Sequence, residues 1–250
     1  MVRGIERFKE RFADYIGQYV FIGGAACDII LGREDVDFRA TKDLDIVLMI
    51  EALNDEFVNR FVAFVEEGGY QHINKGTGEN QFYRFQNPEN NLFPVMIELF
   101  SRRPDYLITI DTRLSPIHVS DDVVSLSAIL LDDDYYALLK QGAVEVEGLS
   151  VLDMEYLILF KMKAWLDLSE RKSRGEQVDS KNIKKHRNDV VRLAANLSPE
   201  KRLEIDGRIK SDASNFVDKV IDEGVDPKSL GIRGVTFDDI IERLKECYGI

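Results

Sequence analysis

The chain has 250 residues, 44% of them hydrophobic and 31% charged, with a formal net charge of -12 and a sequence pI of about 4.8. That balance supports a globular core in one large domain or two small ones, argues against a grip on nucleic acid through overall positive charge, and contains no apolar run near the roughly 20 residues a membrane span needs. Residues 1–10 are charged and amphipathic rather than a signal peptide, which predicts a cytoplasmic protein; the two cysteines, Cys27 and Cys247, form neither a metal spacing nor a disulfide framework and read as ordinary buried thiols.

Ile5, Phe8, Phe12 and Ile16 fall on one stripe and predict a helix over 5–16. Tyr19-Val20-Phe21-Ile22 predicts a short buried strand that runs into Gly23-Gly24, and 25–31 returns to a helical pattern that Gly32 can stop. Residues 35–42 are polar and read as a loop. The stretch 44–49, β-branched and apolar except for Asp45, predicts a strand, and 52–67 an amphipathic helix closed by Gly68-Gly69. Alternation of polar and aromatic residues over 81–86 predicts a half-exposed strand, 87–91 a turn, and 95–100 another strand. Strands are expected at 123–131 and 143–151, with a short helix at 133–141 between them. Beyond about residue 152 the pattern is helical: 153–168, then a polar linker over 171–177, 180–196, a helix entered through Ser198-Pro199-Glu200, 217–223 and 237–248. The expected fold is α+β, a mixed sheet with flanking helices over 1–151 followed by a helical domain over 152–250, with no internal repeat.

Three stretches carry chemistry. At Gly23-Gly24 a strand passes directly into a helix; glycines let backbone approach a ligand, and a helix N-terminus offers unpaired N–H groups to phosphate oxygens. In Arg39-Ala40-Thr41-Lys42-Asp43-Leu44-Asp45, the two acids stand two apart on a strand and share a face. Their mutual repulsion is relieved by a cation, and Mg²⁺ takes one or two carboxylates together with water and substrate phosphates. In Val95-Met96-Ile97-Glu98-Leu99-Phe100, a carboxylate sits inside an apolar strand, where burial without a partner is strongly unfavourable. Beside Asp43 and Asp45, Glu98 would complete a three-carboxylate cluster able to hold one or two metals over a triphosphate.

The ordered set of strand, Gly-Gly, helix, Asp-x-Asp strand and later lone acid resembles the nucleotidyltransferase superfamily built on the DNA polymerase β-like core. It is most similar to the minimal and AbiEii-type toxin branch, whose Arg-x-Thr-x-Asp-x-Asp segment Arg39, Thr41, Asp43 and Asp45 match as they stand. The resemblance implies that Asp43, Asp45 and Glu98 bind a catalytic Mg²⁺ or Mn²⁺, that Gly23 and Gly24 line the phosphates of a nucleoside triphosphate, and that Arg39, Thr41 and Lys42 contact the nucleotide. Two positions depart from the pattern: Ala25 stands where many members carry Ser or Thr, and the third acid is Glu98 rather than Asp.

In the helical half, 160–168 and 184–193 are similar to the lysine-bearing helix and the basic-acidic helix of the same branch. A lysine in an apolar helix is costly to bury without an anion. Lys161 and Lys163 point about 200° apart, so one of them faces the site squarely, and the core-like neighbours of Lys161 favour it as the catalytic cation. Lys163, His186 and Asp189 are the remaining expected nucleotide contacts. The expected activity is metal-dependent transfer of a nucleoside monophosphate from a triphosphate to an acceptor hydroxyl, by an enzyme of the EC 2.7.7 class. The resemblance implies RNA, tRNA included, as acceptor, and a role as the toxin of a toxin–antitoxin pair with a cognate antitoxin as partner. A small-molecule nucleotidyltransferase of the antibiotic-modifying kind and an inactive nucleotide-binding domain are the alternatives.

Overall fold

The strand Tyr19–Ile22 (β1) organises the sheet. In the computed structural model, residues 2–33, 36, 38–49, 51–52, 54–77, 80–101, 129–130 and 132–250 are described, with backbone alone at 72–77, 80–83 and 101. The other strands are Asp43–Leu48 (β2), Gln71–Thr77 (β3), Asn80–Gln86 (β4), Met96–Ser101 (β5), Ala143–Val146 (β6) and Leu149–Leu152 (β7). Among the described residues they form one mixed seven-stranded sheet in the order β3-β4-β5-β2-β1-β7-β6. β1 runs parallel to β7 and β2 parallel to β5, while the other neighbours are antiparallel. The helices are Ile5–Phe12 (α1), Gly23–Gly32 (α2), Asp55–Gly68 (α3), Asp133–Gly142 (α4), Met154–Ser173 (α5), Ser180–Ala194 (α6), Gly207–Glu223 (α7) and Phe237–Tyr248 (α8). No described helix is long and apolar enough to cross a membrane.

The chain divides into two compact units, one within Met1–Val119 together with Gly142–Asp153, the other within Ser120–Gln141 together with Met154–Ile250. In the first, strand alternation separates two faces. Register pairs Phe21 with Ile46 and Ile46 with Leu99, and on that face α1 and α3 press an aromatic core. The Phe8 ring lies 5.3 Å from Tyr19, 5.1 Å from Phe21 and 5.7 Å from Phe64, and Phe61 lies 5.5 Å from Phe85. Burial of each such ring contributes roughly 1.5–3 kcal/mol. Asn54 caps α3 by accepting the Phe57 N–H at 2.9 Å. In the second unit, α5 is buried around most of its circumference, Glu155 and Lys161 included, and packs against α6 and α7. A capping box between Thr236 and Asp239 starts α8, and the Tyr248 hydroxyl donates to the Glu155 carbonyl at 2.7 Å.

Several expectations are corrected. The first helix stops at Phe12 and tightens into a 3₁₀ segment over Ala13–Gln18, where Tyr15 leaves helical backbone and its ring packs on Phe12 and Phe57. β3 escaped sequence reading because Gln-His-Ile-Asn-Lys-Gly-Thr has no apolar alternation; among the described residues it is the outermost strand next to β4, a position that tolerates polar residues. The single strand expected at 143–151 is a hairpin, β6 and β7, turned at Glu147 and Gly148, both with positive φ (51° and 79°), as a tight two-residue turn requires. Residues 201–206, expected to follow a helix start at Ser198, have no regular structure, and α7 begins at Gly207. The Leu203 N–H is drawn out to the Cys247 carbonyl at 2.7 Å, which is incompatible with an i→i-4 helical bond there. The strand expected at 123–131 lies outside the described residues except for 129–130, which are helical.

Candidate functional site

The face of the sheet opposite the aromatic core carries the acids. Asp43 and Asp45 share it through the period-two alternation of β2. Parallel pairing of β2 with β5 sets Asp45 beside Glu98, and antiparallel pairing of β4 with β5 sets Arg84 beside Glu98 on the other side. All four side chains come from adjacent strands of one unit.

The Gly23-Gly24 turn closes on these residues. Gly23 has φ 67°, and a Cβ there would stand 1.7 Å from Asp45 Oδ2; only a residue without a side chain fits the conformation and the space together. The helix α2 starts at these glycines rather than after them. The Gly24 N–H points to Asp45 Oδ2 at 3.4 Å, a long contact that sets a carboxylate at the positive end of the helix dipole. A Cβ on Gly24 would stand 2.7 Å from Thr41 Oγ1 and 3.6 Å from Arg39 Nη2. The structure therefore brings Gly23, Gly24, Arg39, Thr41, Asp45 and Glu98 together, with Asp43 one residue pair along the same face. Lys42 is exposed and Asp43 half-buried. Ala25, where a hydroxyl was the pattern, is fully buried. Cys27, one turn into α2, donates its thiol to the Gly23 carbonyl at 3.0 Å.

Glu98 is 7% exposed. Burial, and then the neighbouring Asp45 carboxylate, push its carboxyl up to about 8, against the opposing pull of Arg84. Two nitrogens of the Arg84 guanidinium donate to the same oxygen, Oε1: Nε at 2.9 Å and Nη2 in a shorter contact. The third acid expected as a metal ligand is thus engaged by a guanidinium, and among the described residues no group of three His, Cys, Asp or Glu side chains closes to metal-binding geometry. Asp43 and Asp45 fit a hard divalent cation as carboxylate donors on one strand face; Glu98 in this rotamer does not add a third. Sequence reasoning missed Arg84. Its one available signal was its place in the polar phase of the 81–86 alternation, which says nothing about which acid lies opposite.

The remaining expected residues lie in the helical unit. Lys161, 5% exposed, donates to Asp189 Oδ2 at 3.1 Å, and Asp189 is fully buried. Arg192 reaches the other oxygen at 3.8 Å. Lys163 pairs with Asp212 at 2.9 Å, and Asp212 also accepts the Tyr135 hydroxyl at 3.1 Å. His186 is buried on α6. The anion each lysine needs is supplied within this unit by an aspartate, and Asp189, expected to contact nucleotide, is the buried partner of Lys161.

No family model matches the chain, and no curated protein matches it. Among solved structures, the chain is similar to the crystal structure of an antigenic nucleotidyltransferase-like protein from Paracoccidioides brasiliensis, with 14% identity, a TM-score of 0.48, and coverage of 98% of this chain and 91% of that one. A likeness at that level assigns no chemistry.

Proposed function

We propose that the chain is a nucleotidyltransferase that moves a nucleoside monophosphate from a nucleoside triphosphate to an acceptor hydroxyl. The observation that carries this reading is the convergence of Asp43, Asp45 and Glu98 on one sheet face beside the Gly23-Gly24 entrance to α2. Asp43 and Asp45 would hold Mg²⁺ or Mn²⁺, which when bound neutralises phosphate charge. The backbone N–H groups at the start of α2 bind phosphate oxygens, and Arg39 and Thr41 orient them. The acceptor oxygen forms a bond to the α-phosphorus, the bond from that phosphorus to the bridging oxygen breaks, and pyrophosphate leaves. Glu98 Oε2, the oxygen Arg84 does not hold, takes the hydroxyl proton when the carboxyl is ionised, so transfer should rise as pH approaches and passes about 8.

RNA as acceptor is supported by a local charge reversal. Residues 171–187 contain seven Lys or Arg against two Asp or Glu in a chain of net charge -12, and Lys172, Arg174, Lys181 and Lys184 are exposed. Such a patch suits a polyanion, in keeping with a toxin that modifies tRNA ends and is held in check by an antitoxin. The overall acidity favours a second reading, a small-molecule acceptor.

Incubation of the protein with labelled triphosphates, Mg²⁺ and total RNA tests both. Label in RNA is expected, and label only in a small acceptor selects the second reading. Asp43→Ala and Asp45→Ala are each expected to abolish transfer with the circular dichroism spectrum unchanged. Wild-type rates in either variant would remove the site.

A further inference from the structure

We infer that the helical unit carries a docking groove for an extended basic peptide. The inference stands apart from the transferase reading. A cleft of about 670 Å³ lies wholly within this unit, walled by α4, the segment 201–206, the start of α7 and the end of α8. Its floor is apolar, made by Ala137, Leu138, Leu203, Ile205 and Ile209, and four carboxylates line it (Asp134, Glu204, Asp206 and Glu246) against two cations, Arg202 and Lys210. Arg202 is already engaged by Glu246 at 2.8 Å, which leaves Asp134, Glu204 and Asp206 against Lys210 and a remaining rim of net negative charge.

The main chain of the wall selects the kind of occupant. The segment 201–206 has neither helix nor strand. Its Leu203 N–H is held by the Cys247 carbonyl, but Glu204 and Ile205 make no backbone–backbone hydrogen bond among the described residues. Asp206, at the N-cap of α7, makes no side-chain capping bond. Unpaired backbone donors and acceptors beside an apolar floor are what an added strand completes, with affinity from main-chain hydrogen bonds and selectivity from alternate side chains. An acidic rim repels nucleic acid and favours lysine or arginine at the outward positions. A segment alternating basic and apolar residues uses the apolar floor, the carboxylates and the free main-chain groups of the wall together, whereas a small cation would use the carboxylates alone.

The test uses a fluorescein-labelled ten-residue peptide of alternating lysine and valine, titrated against the full chain by fluorescence anisotropy at physiological salt. Saturable binding is expected. The double substitution Asp134→Lys/Glu204→Lys should weaken it at least tenfold. So should Ala137→Trp, which fills the floor without changing charge, and so should N-methylation of alternate peptide amides. A glutamate–valine peptide should not bind. Both variants should keep the wild-type circular dichroism spectrum and the wild-type rate of nucleotidyl transfer, so loss of peptide binding is read separately from any failure of the transferase reading. The inference is overturned by absence of binding to the wild type, by equal binding of the N-methylated peptide, by undiminished binding to Ala137→Trp, or by spermine competing as well as unlabelled peptide.

Discussion

Replacing Gly23 by alanine tests the geometry of the candidate site without presupposing its activity. The backbone there has φ 67°, and a side chain in that left-handed conformation costs roughly 1–2 kcal/mol. The added methyl would lie 1.7 Å from Asp45 Oδ2 and 2.6 Å from its Cγ. Restoring a van der Waals separation requires the carboxylate to retreat by about 1.5–2 Å, which breaks the Gly24 contact and takes Asp45 away from Glu98. Backbone strain and displacement together should lower the unfolding free energy by about 2–3 kcal/mol. A misplacement of about 1 Å in a catalytic group costs on the order of 100-fold, so transfer should fall at least that far. Gly24→Ala is the control. Gly24 is not left-handed, its new methyl would meet the ends of two side chains, Thr41 Oγ1 at 2.7 Å and Arg39 Nη2 at 3.6 Å, which can turn aside, and alanine is the better helix former by up to about 1 kcal/mol. Its stability should stay within about 1 kcal/mol of wild type. Urea denaturation followed by circular dichroism, with a crystal structure of each variant, measures both. Wild-type stability of Gly23→Ala with Asp45 unmoved would refute the close-packed turn and the site built on it.

Arg84→Met leaves Glu98 without its guanidinium partner, and the loss of stability should be larger at pH 9, where the wild-type carboxyl is ionised, than at pH 5, where the protonated carboxyl needs no cation; a loss independent of pH would contradict the Arg84–Glu98 contact. Because burial and Asp45 raise Glu98 to about 8, the folded state holds a proton that the unfolded chain releases above about pH 4.5. Stability from this group is therefore complete below that value and declines as pH rises through about 8. Glu98→Gln should flatten that slope in denaturation curves taken between pH 5 and 9. Lys161→Met removes the nearest cation from the fully buried Asp189, leaving Arg192 at 3.8 Å, and should destabilise by about 3 kcal/mol, while Lys161→Met/Asp189→Leu recovers part of the loss; additive losses in this double-mutant cycle would rule out the pair. Burial pushes the Cys247 thiol up to about 11, which leaves about one part in a thousand ionised at pH 8. Disulfide-exchange reagents should therefore titrate both of the chain's cysteines in urea but leave Cys247 nearly untouched in the folded protein, and fast native labelling at Cys247 would show that α8 opens.

Local pattern alone was enough to place the strand, glycine pair and helix in order, to put Asp43 and Asp45 on one face, and to make the second half of the chain helical. Each of these follows from a period of two or 3.6 within a few residues. Even there, features set by tertiary contact were lost: β3, whose polar residues suit an outermost strand, and the departure of 201–206 from helix, driven by a hydrogen bond to Cys247 some 44 positions away. The acids converge, and Arg84 meets Glu98, only through the pairing of β5 with β2 and β4. Register is non-local, and a slip of one residue would turn Glu98 to the aromatic face. In the same way, the spacing of Lys161 and Lys163 fixed their divergence on the helix, while the choice of Asp189 and Asp212 as their partners belongs to the packing of α5 against α6 and α7.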